Sequence, residues 1–598
     1  MTLLSRQALH DEINALVEAM TAERLRQVLI ALAEEEHPRR RQAFLDRLRQ
    51  HCTKAQASGI PPSNPQALST RLDDLKAALE RIAESELENA WDWDEEESCG
   101  PFQALMPDIF DLLGEAAECL HQGEAQTARD IYSAIWTMVD IENDYGHCPS
   151  LEEADDELTR EHAACYLRSV LLTTAPDRQV ATLLLAAKEV RLSGIVSRPE
   201  TLYCTLQEIA GVDVTPLPGW EAFLDAIVQE LAEPRSVLEG MWHREALEKR
   251  QGIDGIARLA RQAGARMPRL WVDWVRAAVR QQDMTQAVAA WQEAQPHFPR
   301  GASIWRHLAD TLQVVTPLQA IPLGDAIAFD ALLANPTGHR LLTLYEACRD
   351  ETARRQRLRA AALWLGEAAR VGKPPVSSVE SISEGRGRSK PLAEPDNDLV
   401  SPTSFECWSP VAVLAWWLVG EGQQARDLVA AEDAVVGWSG GRSPRWALFA
   451  CLPTVLAGRP ASAIGPATQL AWQQLAQSGS WYLAERYLTD VSRDPAEEGV
   501  VADRLNEALL TVTSQAPLSS QEARDWLQWC CDTAVERCHA IVSNRHRKAY
   551  DRAAACVAVC VETATAVGRA PMAAALVNQL RQQYPRHTAF QRALKERL

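Results

Sequence analysis

Residues able to do chemistry are scattered along this chain, but their spacing dismantles each familiar site in turn. Asp140, Glu142 and Asp144 alternate like the oxygen ligands of a calcium loop. That loop needs glycine at its sixth position for a sharp turn and glutamate at its twelfth, and here those positions hold Tyr145 and Leu151. His147, Cys148, His162 and Cys165 carry ligand chemistry, the latter pair one helical turn apart, yet their spacing matches no common zinc module. A turn histidine and buried thiols are the ordinary explanation. Cys530, Cys531, Cys538, Cys556 and Cys560 gather near the end of the chain, where cysteine serves as a small buried hydrophobe. Cys538 and His539 are neighbours, and adjacent residues on a helix point in different directions, so they are no thiolate–imidazole pair. The sequence contains no G-x-S-x-G elbow, H-E-x-x-H helix, dinucleotide fingerprint or kinase motif set. The expectation is a protein with no catalytic residue, no metal and no cofactor.

Residues suited to holding a partner are easier to find. Trp91 and Trp93 sit in the acidic run WDWDEEE, which offers a cationic segment both charge and aromatic faces; a solvated loop anchored by its tryptophans is the plainer reading. In GWSGGRSPRW, residues 437–446, glycines with Arg442 and Arg445 offer an anion nest. The Gly-Lys-Ser/Thr ending of a phosphate-binding loop is missing, and a structural turn is the plainer reading. Asn544 to Lys548 is the strongest local positive charge near an end of the chain. Arg545, Arg547 and Lys548 could there grip a phosphate or an acidic helix, or serve only solubility and the helix dipole.

The elements that must position these residues are helical hairpins. From Arg269 to Pro299, large Trp271 and Trp274 share a face with small Ala278, a second helix carries Ala287, Trp291 and Ala294, and Pro299 ends it. The rhythm restarts at Trp305, Leu308 and Ala309, about 34 residues after Trp271 and Trp274. This segment resembles a tetratricopeptide (TPR) unit. Ala573, Val577, Leu580 and Pro585 repeat the second-helix spacing near the end, and Leu112, Ala116 and Cys119 face Ala128, Tyr132 and Ile135 across Gly123 in a looser copy. Strand-like alternation is nearly absent. The expected fold is all-α, a TPR-like α-solenoid of hairpins in two lobes. An N-terminal helical unit spans 1–51, and after a Pro/Ser/Gly-rich break one lobe spans 66–370. An exposed linker or loop follows at 371–404, carrying Arg386, Arg388 and Lys390 as accessible cleavage points, and the C-terminal lobe spans 405–598.

At 598 residues the chain is too long for one compact core, and 46% apolar with 24% charged residues is an ordinary globular balance. A net charge of −20 disfavours non-specific binding to DNA or anionic membranes, so the expected partner is one or more proteins, with no nucleic acid bound directly. Fourteen cysteines without regular spacing, and a first stretch MTLLSRQALHDE without an apolar targeting core, point to reduced thiols in the cytoplasm. The most apolar run, Val411 to Val419, falls short of the roughly 20 residues of a membrane span and reads as a buried helix.

The GWSGGRSP turn together with Asn544–Tyr550 and Tyr584–Phe590 resembles the helical, TPR-like region of bacterial SWIM-zinc-finger proteins. That family's finger, C-x-C followed by C-x-H, is absent here, so the resemblance implies only the helical scaffold. Two helical lobes joined by an exposed linker also resemble the protein substrates that CRISPR-associated proteases cut. The resulting expectation is a non-enzymatic protein-binding scaffold or adaptor. The alternative is a regulatory protein of a bacterial defence system whose linker is cut to release a signalling fragment; an enzyme with a site assembled from scattered residues is a third class.

Overall fold

The computed structural model describes residues 65–84, 100–141, 148–190, 202–211, 217–371, 397–400, 408–430, 443–476 and 495–598. Every regular element among them is helical. The segment 1–51 lies outside the described residues. The chain divides into two compact units, 1–246 and 247–598.

In the first unit α1 (Pro65–Ala83), α2 (Met106–His121) and α3 (Ala125–Met138) precede α4 (Leu151–Thr173), α5 (Gln179–Glu189), α6 (Leu206–Ala210) and α7 (Trp220–Glu230). The α2–α3 turn closes with Glu124 N–H donating to Cys119 O at 2.9 Å, while Gly123 at φ +86° takes the left-handed position that a Cβ disfavours. Leu112, Ala116, Ala128, Tyr132 and Ile135 are all buried across this hairpin, and Cys119 is half-buried. α4 packs against both helices. His162 of α4 is buried there, its Nδ1 3.3 Å from the Tyr132 hydroxyl, so it serves the core.

α8 (Val237–Ala263) runs across the division between the units, and its Gly252 departs from helical geometry at φ 62°, ψ −156°. Next come α9 (Arg269–Arg280), α10 (Met284–Ala294), α11 (Ile304–Gln313), α12 (Gly324–Ala334), α13 (Gly338–Ala347) and α14 (Glu351–Val371). α9 pairs with α10 and α11 with α12, and α9 stacks on α11 as α12 does on α14. Trp271, Trp274, Ala278, Ala287, Trp291 and Ala294 are all buried. Asp283 caps α10 by accepting from Gln286 N–H at 3.0 Å. The two hairpins open alike: the Trp271 indole N–H donates to Gly264 O at 3.1 Å and the Trp305 indole to Pro299 O at 2.8 Å.

After α15 (Asn397–Val400), α16 (Trp408–Val419) is apolar and buried at every residue but the half-buried Ser409, wrapped by α14, α17 (Gly422–Ala430), α18 (Pro444–Ala457) and α20 (Pro495–Gln515). The apolar run Val411 to Val419 is thus a core helix, and no helix among the described residues is long and apolar enough to cross a membrane. α14 lies against α16, with Trp364 and Trp408 edge to face at 6.1 Å. The helices flanking residues 371–404 belong to one compact unit, 247–598. α19 (Pro466–Ala476), α21 (Ser520–Cys538), α22 (Tyr550–Ala566), α23 (Ala570–Gln583) and α24 (Thr588–Arg597) complete the chain; α22 is the hub of its end, packed on α19, α21, α23 and α24.

Candidate partner-binding site

Six of the residues singled out in the sequence, Trp91, Trp93, Arg386, Arg388, Lys390 and Arg442, lie outside the described residues. Arg445, in the first turn of α18, does not project freely: its Nη1 donates to Glu536 Oε2 of α21 at 2.6 Å. Arg545, Arg547 and Lys548 are exposed, and the backbone around them is unusual.

α21 begins with a capping box in which Ser519 and Glu522 satisfy each other's backbone N–H groups. It ends by widening into a π-turn at His539–Ser543. Arg545 then adopts φ 57°, a left-handed conformation uncommon outside glycine, and Arg547 N–H donates to Arg545 O at 2.8 Å to tighten the turn. The π-turn, a widening often found at functional sites, is held in place by side chains. His539 Nδ1, Ser543 Oγ and Tyr584 OH lie within 3.0, 3.1 and 3.4 Å of one another, and Asn544 Nδ2 donates to Ala540 O at 2.8 Å. Tyr550 OH lies 3.4 Å from His587 Nδ1, and Phe590 is fully buried edge-on against Tyr550 and Tyr584. Two turns distant in sequence, 539–549 and 584–587, are thus fixed side by side by His539 and Ser543 against Tyr584 and by Tyr550 against His587 and Phe590.

The charge gathered there is large. Residues 537–598 hold eleven arginines and lysines against three aspartates and glutamates, a surplus of eight positive charges in a chain of net −20, which leaves −28 on the other residues. Arg545, Arg547, Lys548, Arg552, Arg586 and Arg597 are all exposed. Arg597 forks onto Asp551 through bonds of 2.8 and 2.6 Å, and that hydrogen bonding holds the Asp551 carboxyl below its usual range. Such a surface can hold carboxylates or phosphates by charge-assisted hydrogen bonds.

A second polar group lies in the middle of the second unit, and sequence reasoning missed it. Arg340 of α13, almost wholly buried, donates to Asp310 Oδ2 of α11 at 2.9 Å, and Arg306 is buried on the same helix as Asp310. Burial pushes Asp310 up, but the Arg340 charge and hydrogen bond outweigh it and keep the carboxyl ionised below its ordinary value. His307 is pushed down to about 3, first by burial and then by Arg306, with Asp310 opposing. The available signal was Arg306 and Arg340 standing about 34 residues apart, one repeat length, where the flanking pattern is apolar.

The C-terminal cysteines pack. Cys530, Cys531, Cys538, Cys556 and Cys560 are buried, with Cys560 Sγ donating to Cys530 O at 3.4 Å and Cys538 Sγ to Ala553 O at 3.7 Å. Burial drives the Cys530 and Cys538 thiols upward, the reverse of a nucleophile's requirement. Among the described residues no group of three or more His, Cys, Asp or Glu is placed to hold a metal ion.

No family model, curated protein or solved structure matches the chain. Its own geometry is therefore the guide to what it does.

Proposed function

We propose that this protein is a non-enzymatic scaffold built on TPR-like helical hairpins, and that its basic end at residues 539–550 and 584–587 docks an acidic segment of a protein partner. The observation that carries this is the presentation of Arg545, Arg547 and Lys548 on a turn in which Arg545 takes left-handed backbone, next to the His539–Ser543–Tyr584 contacts. Surface charge that serves solubility alone needs no such arrangement. Two further features support the TPR-like register: the shared indole bonds of Trp271 and Trp305, and the stacking of α9 on α11.

An acidic protein segment suits the site better than a nucleic acid. Screening confines the attraction to about 8 Å at physiological salt. A short acidic segment stays within the patch, whereas a long polyanion runs onto a remainder carrying −28. Described cysteines that are all free suit a reducing compartment, and the cytoplasm is part of the proposal. The test is fluorescence anisotropy of a labelled oligoglutamate peptide. Arg545→Glu, Arg547→Glu and Lys548→Glu combined should weaken binding by roughly a hundredfold, about 1 kcal/mol for each charge-assisted hydrogen bond removed. Unchanged binding with an unchanged circular dichroism spectrum refutes the assignment.

A further inference from the structure

A different junction, between the start of α18 and the last turns of α21, holds polar groups that a scaffold role leaves unexplained. Arg537 of α21 is only 6% exposed. Its guanidinium carbon sits 5.0 Å from the centre of the Trp446 ring in the first turn of α18, an arrangement that stabilises the cation but occupies none of its N–H groups. Arg537 Nε and Nη1 are buried without any hydrogen-bond partner. The same holds for Trp446 Nε1, on a residue 7% exposed, and for Nε of Arg445, whose Nη1 is engaged by Glu536. The Cys556 thiol of α22, a weak acceptor, also lies against Arg537.

These four unsatisfied atoms are all donors, and the local charge is two guanidiniums against the single carboxylate of Glu536. Native interiors seldom leave a buried cation in this state, because the Trp446 ring and the weak Cys556 acceptor replace only part of its hydration and leave Nε and Nη1 without hydrogen bonds. The positive end of the α18 dipole adds to the same field, and α18 is a 14-residue helix. A ligand that supplies only acceptors and negative charge resolves all of it.

We propose that this junction is a binding site for a small tetrahedral oxyanion of the phosphate class, held by Arg537, Arg445 and the Trp446 indole. Arg537 and Trp446 are more than nine-tenths buried, so the ligand is a free ion of phosphate size rather than a group on a polymer. Several donors on three side chains suit an anion with four oxygens better than a carboxylate with two, and arginine's planar fork matches either pair of phosphate oxygens.

The test uses the full chain, with thermal unfolding followed in phosphate, sulfate, acetate and chloride at equal ionic strength. Phosphate-class salts stabilise proteins generally by exclusion from their surface, so the readout is the difference between wild type and variants in the same salt. Wild type should show a saturable rise in Tm with phosphate, a rise with sulfate if the site reads shape and charge alone, and none with acetate. Arg537→Met, an apolar chain in place of an unpaired buried cation, should fold, equal or exceed wild type in chloride, and lose the saturable response. Arg445→Gln should keep it at about tenfold weaker apparent affinity, as expected for removal of one charge-assisted bond. Line broadening of the phosphorus resonance of inorganic phosphate gives an independent reading, expected with wild type and absent with Arg537→Met. If Arg537→Met does not fold, Arg445→Gln and the resonance decide. Equal responses in wild type and variants, or a wild-type response that tracks acetate, overturns the site.

Discussion

Replacing Trp291 by alanine should destabilise the second unit by about 3–5 kcal/mol, the range for removing a large buried aromatic. Trp291 is 2% exposed and joins two hairpins, meeting Trp305 edge to face at 6.3 Å, so part of the loss is an aromatic pair of about 0.5–1.5 kcal/mol. Its indole N–H has no hydrogen-bond partner, so the polar end of the side chain contributes nothing favourable. That separates it from Trp305, whose indole donates to Pro299 O at 2.8 Å. Trp291→Phe should then cost about 1 kcal/mol less than Trp305→Phe, because both lose ring volume but only Trp305 gives up a hydrogen bond. Trp305→Phe should cost about 1–2 kcal/mol, losing ring volume and leaving a carbonyl unpaired. The assay is urea unfolding together with hydrogen exchange over residues 265–315, since a chain of two compact units need not melt in one step. If Trp291→Ala melts like wild type, the aromatic carries no packing energy and the hairpin register is wrong. If Trp291→Phe costs as much as alanine, the N–H rather than the ring is what the site requires.

Acid should weaken the protein through His307. Its folded pKa of about 3 lies below the ordinary 6.5, so the stability tied to the neutral ring is intact above pH 6.5 and drains as pH falls towards 3. His307→Gln should remove that slope, worth about 1 kcal/mol at about pH 5.5, and urea curves that shift equally for wild type and variant between about pH 7 and about pH 5.5 would refute it. Asp330 has the opposite sign: burial raises it from 3.8 to about 6, so the stability it contributes when protonated is lost as pH rises through 6. Asp330→Asn should accordingly gain about 1–3 kcal/mol at neutral pH, and a variant less stable than wild type there would count against it. Trypsin acting at Arg386, Arg388 or Lys390 should yield fragments that co-elute in gel filtration, because α14 and α16 pack on each other, and their separation would show that this packing is weak.

What the sequence made legible was local and periodic. The α9–α10 hairpin follows from Trp271, Trp274 and Ala278 set against Ala287 and Trp291, because helices approach closely only where small residues face large ones. The core role of Val411 to Val419 follows from a run with no polar side to present to water. Pairings across long separations left no mark: Arg445 is bound by Glu536, 91 residues away, and Arg340 by Asp310, 30 residues away. Arg537 went unnoticed because in sequence it is one more helical arginine, and only burial against Trp446 distinguishes it. The composition of residues 371–404 signals a segment with no core of its own, which says nothing about whether its neighbours separate. The division at 246/247 falls inside α8, where no change of composition announces it.

The burial of α16 on every side has an evolutionary consequence. An array in which each hairpin touches only its neighbours can gain or lose a unit and repair the stack by sliding, as the α9–α12 region permits. α16 has no such freedom, because α14, α17, α18 and α20 all close upon it and a one-residue rotation would turn every side chain into the wrong neighbour. Lineages of this protein should therefore differ in length by whole hairpins within α9–α12 and hold constant through α13–α20, where change is confined to volume-conserving apolar swaps.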